Sequence, residues 1–446
     1  MHQAKWTLSE TLCEKGLTYP PTLALSPVGR GQGWGKNLRK EEDKKMLKRT
    51  LVSLSLLLVA IFLMSAPGSA QQRGVTDTEI LIGQWGPQTG PAAPWGAVAR
   101  GTDLLVKIIN EEGGINGRKF KYFLRDDSYQ PAKTKAIAKE FVEQVGDRDP
   151  RGVFAVVGGV GVACGMTARD YLMENKVPWC GPVTGVYEWI TPIQKYLFAI
   201  YPLYDDEAFN LTGYLYEKLG YKKIAVFYQN DDYGKQGVMG VERYLLKKKI
   251  SLVAKISAEV TDRDLSTHAL KLKNSGAEAV IMWAMPTHGA LILAETAKIG
   301  FKPQWATSNT LSDSALMIQI TKGLWSGMIN SNFGELPDSN HPLMVKYREA
   351  HKRLAPQERW GVFYYAGIIF AEPFFEGVRR AGKNLTPETW ISAMETLKNW
   401  QGIGPPITYS KPKTPMDRQG GKHVFYGKVK PDGTIQKLTD WIQITK

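Results

Sequence analysis

Seven side chains beyond residue 70 are of the types that do covalent or metal chemistry: Cys164, Cys180, His268, His288, His341, His351 and His423. Cys164 follows a GGVG run at 158–161, at what reads as a helix start, where the helix N-terminus would depress a thiol pKa and make a nucleophile. A nucleophile needs a base, and no histidine falls in a neighbouring loop of the same half of the chain. The histidines form no His-Glu-x-x-His pattern and the cysteines no Cys-x-x-Cys pair, so neither a metal nor a cofactor is expected. The GGVG run lacks the further glycine, or the Lys-Ser/Thr, of nucleotide-binding loops. It reads as a loop where backbone must approach a ligand closely. Cys164 and Cys180 are compatible with either a disulfide or two thiols, because geometry decides.

Binding chemistry is more visible than catalysis. In residues 78–101, TEILIGQWGPQTGPAAPWGAVARG, a short apolar strand runs into a Gly/Pro/Trp turn and then into a helical pattern. In open α/β folds ligands bind where such loops leave the carboxyl ends of strands and meet helix N-termini. Trp85 and Trp95 offer flat apolar surfaces there, or packing.

The elements that must position this loop repeat the same rhythm. Helices are predicted over 98–112, 133–145 and 164–174, alternating with strands over 120–125, 153–157 and 177–180. This is a doubly wound parallel sheet. A second set begins near residue 204, with helices over 206–219, 235–248, 264–274 and 288–299 and strands over 223–228, 251–259 and 279–283. Three helices follow, over 342–354, 360–377 and 386–397. Alternating stretches at 423–429 and 435–444, joined by Pro-Asp-Gly, predict a closing hairpin.

The N-terminus belongs to no fold. Met46-Leu-Lys-Arg, an uncharged apolar run over 51–64 and the small residues of SAPGSA at 65–70 form the three regions of a signal peptide, with cleavage expected after Ala70. Residues 1–45 would bury that leader inside the chain, so they read as a misassigned extension, and Lys40-Glu41-Glu42 permits a purine-rich ribosome-pairing stretch upstream of Met46. No lipid-anchor cysteine follows the leader. Ten of the 57 Lys/Arg and five of the 43 Asp/Glu precede residue 71, leaving a formal +9. The charge is dispersed and accompanied by no nucleic-acid motif, so a solvated surface explains it.

Taken in order, GQWGPQTGPAAPWG, the helix end NEEGGING at 110–117, the Asp126-Asp127 turn with Pro131, the loop before Cys164, Tyr233-Gly234 and the segment 425–432 resemble the extracytoplasmic substrate-binding proteins of branched-chain amino acid type ABC transporters. The likeness covers residues 77–446. It implies the type I periplasmic binding fold, two doubly wound parallel-sheet lobes joined by three crossover segments. One lobe would be 77–203 with 333–421, the other 204–332 with 422–446, closing on a ligand as a hinged trap. The implied function is a periplasmic receptor, monomeric and without stable membrane insertion or nucleic-acid binding, that hands a small molecule to ABC permease subunits. Alternatives of other classes are a ligand sensor with a regulatory partner and a secreted hydrolase using Cys164.

The family pattern carries over residue by residue. Members that hold an α-amino acid place a Ser in the third loop and a Thr in the fourth for the carboxylate, and an acidic residue of the second lobe for the ammonium. Here the third loop offers Val162, Ala163 and Cys164, and the fourth Val183, Thr184 and Gly185. The hydroxyl positions fall at Val162 and Gly185, with Thr184 one place away, and the acidic position falls at Asn309. An ammonium desolvated without a carboxylate partner costs several kcal/mol. The expected ligand is therefore an aromatic or apolar acid or amide, held by backbone donors at helix N-termini after Gly161 and Gly185. Of Trp85, Trp95, Trp179, Trp283 and Trp305, two are expected to touch it. Trp95 and Tyr233 match lid positions, Met285, Pro286 and Asn309 should close from the second lobe, and Asp126 and Asp127 should hold a turn. Tyr204, Asp205 and Asp206 lie at the first crossover, where hinge and ligand contacts overlap.

Overall fold

β1 (Glu79–Gly86) is buried at every residue after the first, as a central strand covered on both faces must be. It is flanked by β2 (Lys119–Asp126) and β3 (Ala155–Val157), and the sheet continues through β4 (Trp179–Cys180) and β5 (Leu197–Phe198) in the order β2-β1-β3-β4-β5, all parallel. The connections are α1 (Ala97–Glu111), α2 (Pro131–Glu143) and α3 (Val162–Glu174). The structure is a computed structural model that describes residues 44, 46–53, 72–145 and 152–444. Residues 46–53 are helical. The rest of the expected leader, its cleavage site and nearly all of 1–45 lie outside the described residues. Among the described residues no helix is long and apolar enough to cross a membrane.

The second sheet takes up after α4 (Tyr204–Gly213), whose last turn widens into a π-helical segment at Tyr214–Lys218. It contains β6 (Ile224–Gln229), β7 (Ala254–Ala258), β8 (Ala279–Trp283), β9 (Gln304–Thr307) and β10 (Ile329–Asn332), all parallel. Between them run α5 (Asp232–Lys247), α6 (Ser266–Asn274), α7 (Pro286–Lys298) and α8 (Ser314–Ile320). The chain then returns to the first lobe as α9 (Pro342–Leu354), α10 (Val362–Ala381) and α11 (Pro387–Met394). β11 (His423–Val429) finally adds antiparallel to β10.

The closing hairpin forms, but its second arm is split into β12 (Ile435–Lys437) and β13 (Ile442–Gln443), both antiparallel to β11. The cause is local. The Thr439 hydroxyl accepts from Tyr426 N at 3.0 Å, taking the place of a main-chain acceptor and interrupting the ladder.

Two features fix the cleft. The chain passes between lobes after β5, after β10 and before β11, and the first and third passages lie side by side, with Gly420 N donating to Ala199 O at 2.8 Å and Gly421 N to Ile200 O at 3.1 Å. Second, α10 crosses α1 at a glycine contact. A Cβ on Gly101 would stand 1.7 Å from Tyr364 O, and one on Gly367 1.9 Å from Val98 O. Only glycine permits that approach, and it lays the N-terminal half of α10 along the cleft.

Candidate functional site

At the carboxyl ends of the first sheet the chain lines a narrow cavity of about 50 Å³. The walls therefore stand close, as around a small organic molecule. Trp95 and Val98 come from the loop after β1 and the start of α1, Tyr129 from the loop after β2, Val160 and Gly161 from the loop after β3, and Val183 and Thr184 from the loop after β4. Tyr201 and Phe333 stand at crossovers, and Val362, Phe363, Ala366 and Phe370 present one stripe of α10. The second lobe adds Tyr204, Tyr233, Asn309 and Thr310. Eight of the lining residues are aromatic, three are uncharged polar residues and none is charged.

Each loop is shaped for this. Asp126 accepts from Gln88 N at 2.9 Å and from the Thr89 hydroxyl at 2.6 Å, and Asp127 accepts from Tyr129 N at 3.0 Å and Thr134 at 2.8 Å. These two carboxylates hold Ser128 and Tyr129 in the left-handed region (φ +50° and +59°), a conformation side chains rarely adopt. The turn lays the Tyr129 ring over Gly161, where a Cβ would come within 2.9 Å of it. Gly161 itself has φ +100°. It precedes α3, whose first turn carries backbone N–H groups with no intrahelical partner. Thr184 adds a directed donor. Its hydroxyl accepts from Trp189 Nε1 at 2.8 Å, so its own proton remains for the cavity.

The lobes meet through the lid. Trp95 Nε1 donates to Thr310 O at 3.0 Å, and the Thr310 hydroxyl lies 2.6 Å from the Tyr233 hydroxyl. Trp95 stands edge-on to Tyr233 with centroids 5.9 Å apart and 5.8 Å from Tyr129. Below, Tyr201 stacks on Phe370 at 5.2 Å with rings 4° apart. Asn309 is buried, and neither side-chain oxygen nor nitrogen has a hydrogen-bond partner.

Of the residues singled out in the sequence, Trp95, Val183, Thr184, Tyr233 and Asn309 line the cavity, as does Tyr204. The others do not, each for a visible reason. Trp85 lies under Gly159, where a Cβ would be 2.7 Å from its ring, and stands edge-on to Trp179 at 5.1 Å, so it is core. Val162 and Ala163 open α3 beyond Gly161 and stand outside the lining. Cys164 turns inward to Thr134 and Asp127. Burial and the Asp127 carboxylate push its thiol well above the usual range, which overturns the activated nucleophile expected at a helix start. Cys164 and Cys180 are both free thiols. Gly185 is held against the first crossover, its carbonyl accepting from Tyr204 N at 2.6 Å, and it is followed by a three-residue turn rather than a helix. Met285 and Pro286 open α7 outside the cavity, where the Thr287 hydroxyl donates to Pro91 O at 3.3 Å across the cleft mouth. Of the five tryptophans only Trp95 is in the lining; Trp283 is one layer back, edge-on to Tyr204 at 5.8 Å. Among the described residues no cluster of His, Cys, Asp and Glu is arranged to hold a metal.

A cavity between two parallel-sheet lobes joined by three crossovers is the architecture of the type I periplasmic binding fold. Residues 79–434 match the family model described as periplasmic binding protein, and the chain belongs to that family, among the substrate-binding proteins of branched-chain amino acid type ABC transporters. The Leu/Ile/Val-binding protein homolog 3 of Brucella melitensis is 28% identical over 349 residues, 75% of this chain and 88% of the relative. A fatty acid ABC transporter substrate-binding protein from Thermomonospora curvata superimposes with a TM-score of 0.74 at 21% identity, covering 85% of this chain and 96% of that one. A branched chain amino acid ABC transporter structure from Thermus thermophilus with bound valine gives 0.73 at 18%, covering 83% and 97%. Members of the family bind small molecules in the periplasm and work with ABC transporters without catalysing a reaction.

Proposed function

We propose that this protein captures an aromatic or apolar carboxylic acid or amide between its lobes and delivers it to an ABC permease of the branched-chain amino acid type. The observation that carries the reading is the lining itself: eight aromatic rings, three uncharged polar side chains and no carboxylate to receive an ammonium. The ligand oxygen would lie at Gly161 and the first turn of α3, with Thr184 donating from one side and Asn309 from the other. The ring or alkyl body would fill the space between Tyr129, Tyr201, Phe363 and Phe370. Lobe closure would then be driven by contacts that exist only in the closed form, chiefly those of Trp95 with Thr310 and Tyr233. The segment 46–70 would export the chain and be removed after Ala70. The reading is supported by the Thermomonospora structure of the same fold, whose name assigns it fatty acids.

Thermal-shift measurements on the chain from Gln71 test the reading. Phenylacetate, 3-phenylpropanoate, benzamide and 4-methylpentanoate are expected to include a stabilising ligand, and leucine and valine to give no shift. Stabilisation by leucine or valine alone would overturn the ligand class.

A further inference from the structure

Behind the Asn309 wall lies a carboxyl group that the sequence did not point to. Glu207, in the first turn of α4, is completely buried and lies outside the cavity lining. Its Oε1 accepts from Asn309 N at 2.8 Å and its Oε2 from the Ser308 hydroxyl at 3.0 Å. The Ser331 hydroxyl and the Asn309 side-chain amide face the same carboxyl without reaching hydrogen-bond geometry, and the Tyr426 hydroxyl, also unpartnered, lies within its field. These residues come from three places: Glu207 follows the first crossover, Ser331 precedes the second on β10, and Tyr426 follows the third on β11. The titratable groups that face Glu207 are Tyr201 and Tyr204 from the first crossover, Tyr233 from α5 and Tyr426 from β11. Its neighbour Asp206 pairs with Arg243 at 2.7 Å.

We propose that Glu207 is a positioning residue of the ligand site: its carboxyl clamps the Ser308–Asn309 turn, sets which end of the Asn309 amide faces the cavity, and ties that choice to the three crossovers. The proposal rests on the cavity being the ligand site. An ionised Glu207 accepts hydrogen bonds only, so it draws Asn309 Nδ2 toward itself and turns Oδ1 to the cavity. A protonated Glu207 donates to Oδ1 and leaves Nδ2 to donate to a ligand oxygen. Burial pushes this carboxyl up to about 7, so both states are populated near neutral pH. The protonated state is the one that suits an acid or amide oxygen.

The test needs no ligand. In ¹⁵N-labelled protein the Asn309 backbone and side-chain amide signals, assigned by the loss of the side-chain pair and the displacement of the backbone signal in Asn309→Ser, are followed from pH 5.5 to 8.5. In the wild type they should move together with one midpoint near 7. Glu207→Gln should abolish that movement, while Glu372→Gln, which alters a buried carboxyl of the first lobe, should leave it intact. Ser308→Ala removes a donor to the ionised carboxyl and should raise the midpoint, which keeps the test open if Glu207→Gln does not fold. Asn309 signals that stay fixed in the wild type, that titrate equally in Glu207→Gln, or whose midpoint ignores Ser308→Ala would overturn the proposal. Failure of every acid and amide to bind would refute the ligand class and leave this titration standing.

Discussion

Trp95→Ala separates the lid from the core. Trp95 makes two kinds of contact: its pairing with Tyr129 lies within the first lobe and persists on opening, whereas its hydrogen bond to Thr310 O and its edge-on pairing with Tyr233 cross the cleft. Only the crossing contacts favour closure. A net hydrogen bond contributes about 1 kcal/mol and an aromatic pair about 1 kcal/mol beyond its buried area. Removing both should shift the closing equilibrium by about 2 kcal/mol, or roughly 30-fold. Affinity for the best ligand of the panel, measured by calorimetry, should fall by about that factor. Trp95→Phe keeps the ring pair and loses only the hydrogen bond, so its affinity should fall about 5-fold. The ligand-free chain should unfold at nearly the wild-type temperature in Trp95→Phe and lose only the Tyr129 pairing, about 1 kcal/mol, in Trp95→Ala. Unchanged affinity in Trp95→Ala, or a loss of ligand-free stability as large as the loss of binding, would refute the assignment of Trp95 to the lid.

Other outcomes follow from the same geometry. Thr184→Val leaves the buried Trp189 N–H without its acceptor and should lower stability by about 1–3 kcal/mol in urea unfolding, together with ligand affinity, whereas Thr184→Ser should keep both. Glu372 accepts from the Tyr347 hydroxyl and Ile403 N, and burial pushes it, like Glu207, up to about 7. An acid whose folded pKa lies above its unfolded value of about 4.3 holds its proton more tightly when folded, so stability declines as pH rises from about 4.3 to about 7 and is level above that. Each group should contribute about 4 kcal/mol to that decline, and Glu372→Gln should remove roughly half of it in urea titrations across the range. A thiol reagent at pH 8 should modify neither Cys164 nor Cys180 in the folded chain from Gln71 and both in denaturant, since both are buried free thiols pushed upward by burial.

The sequence made the scaffold legible because parallel strands and their covering helices write strong periodic signals. Strands β9 and β10, of four residues each, and β5, of two, were too short to carry one. The site was legible where glycine or a hydroxyl marked a loop, as at Gly161 and Thr184. It was not legible on α10, where Phe363 and Phe370 face the cavity from a helix buried along most of its length. No periodicity tells a ligand-facing ring from a core ring in such a helix. Trp85 and Trp95 illustrate the same limit ten residues apart, one under a glycine in the core and one at the lid. The α4 carboxyl leaves no local signal in the sequence because its partners, Ser308 and Asn309, are about a hundred residues away in the chain. Cys164 went the other way: position alone pointed to an activated thiol, and burial reversed the sign.

The absence of a seat for an ammonium is the centre of the account, and a matched pair of ligands tests it directly. Calorimetry at pH 6.5 on the chain from Gln71 should compare 4-methylpentanoate with leucine, and 3-phenylpropanoate with phenylalanine, which differ only by the α-ammonium. With no carboxylate in the lining, the ammonium must be desolvated unpaired at a cost of several kcal/mol, so at least one desamino acid should bind roughly 100-fold or more tighter than its amino acid. Equal or tighter binding of leucine or phenylalanine would contradict the account.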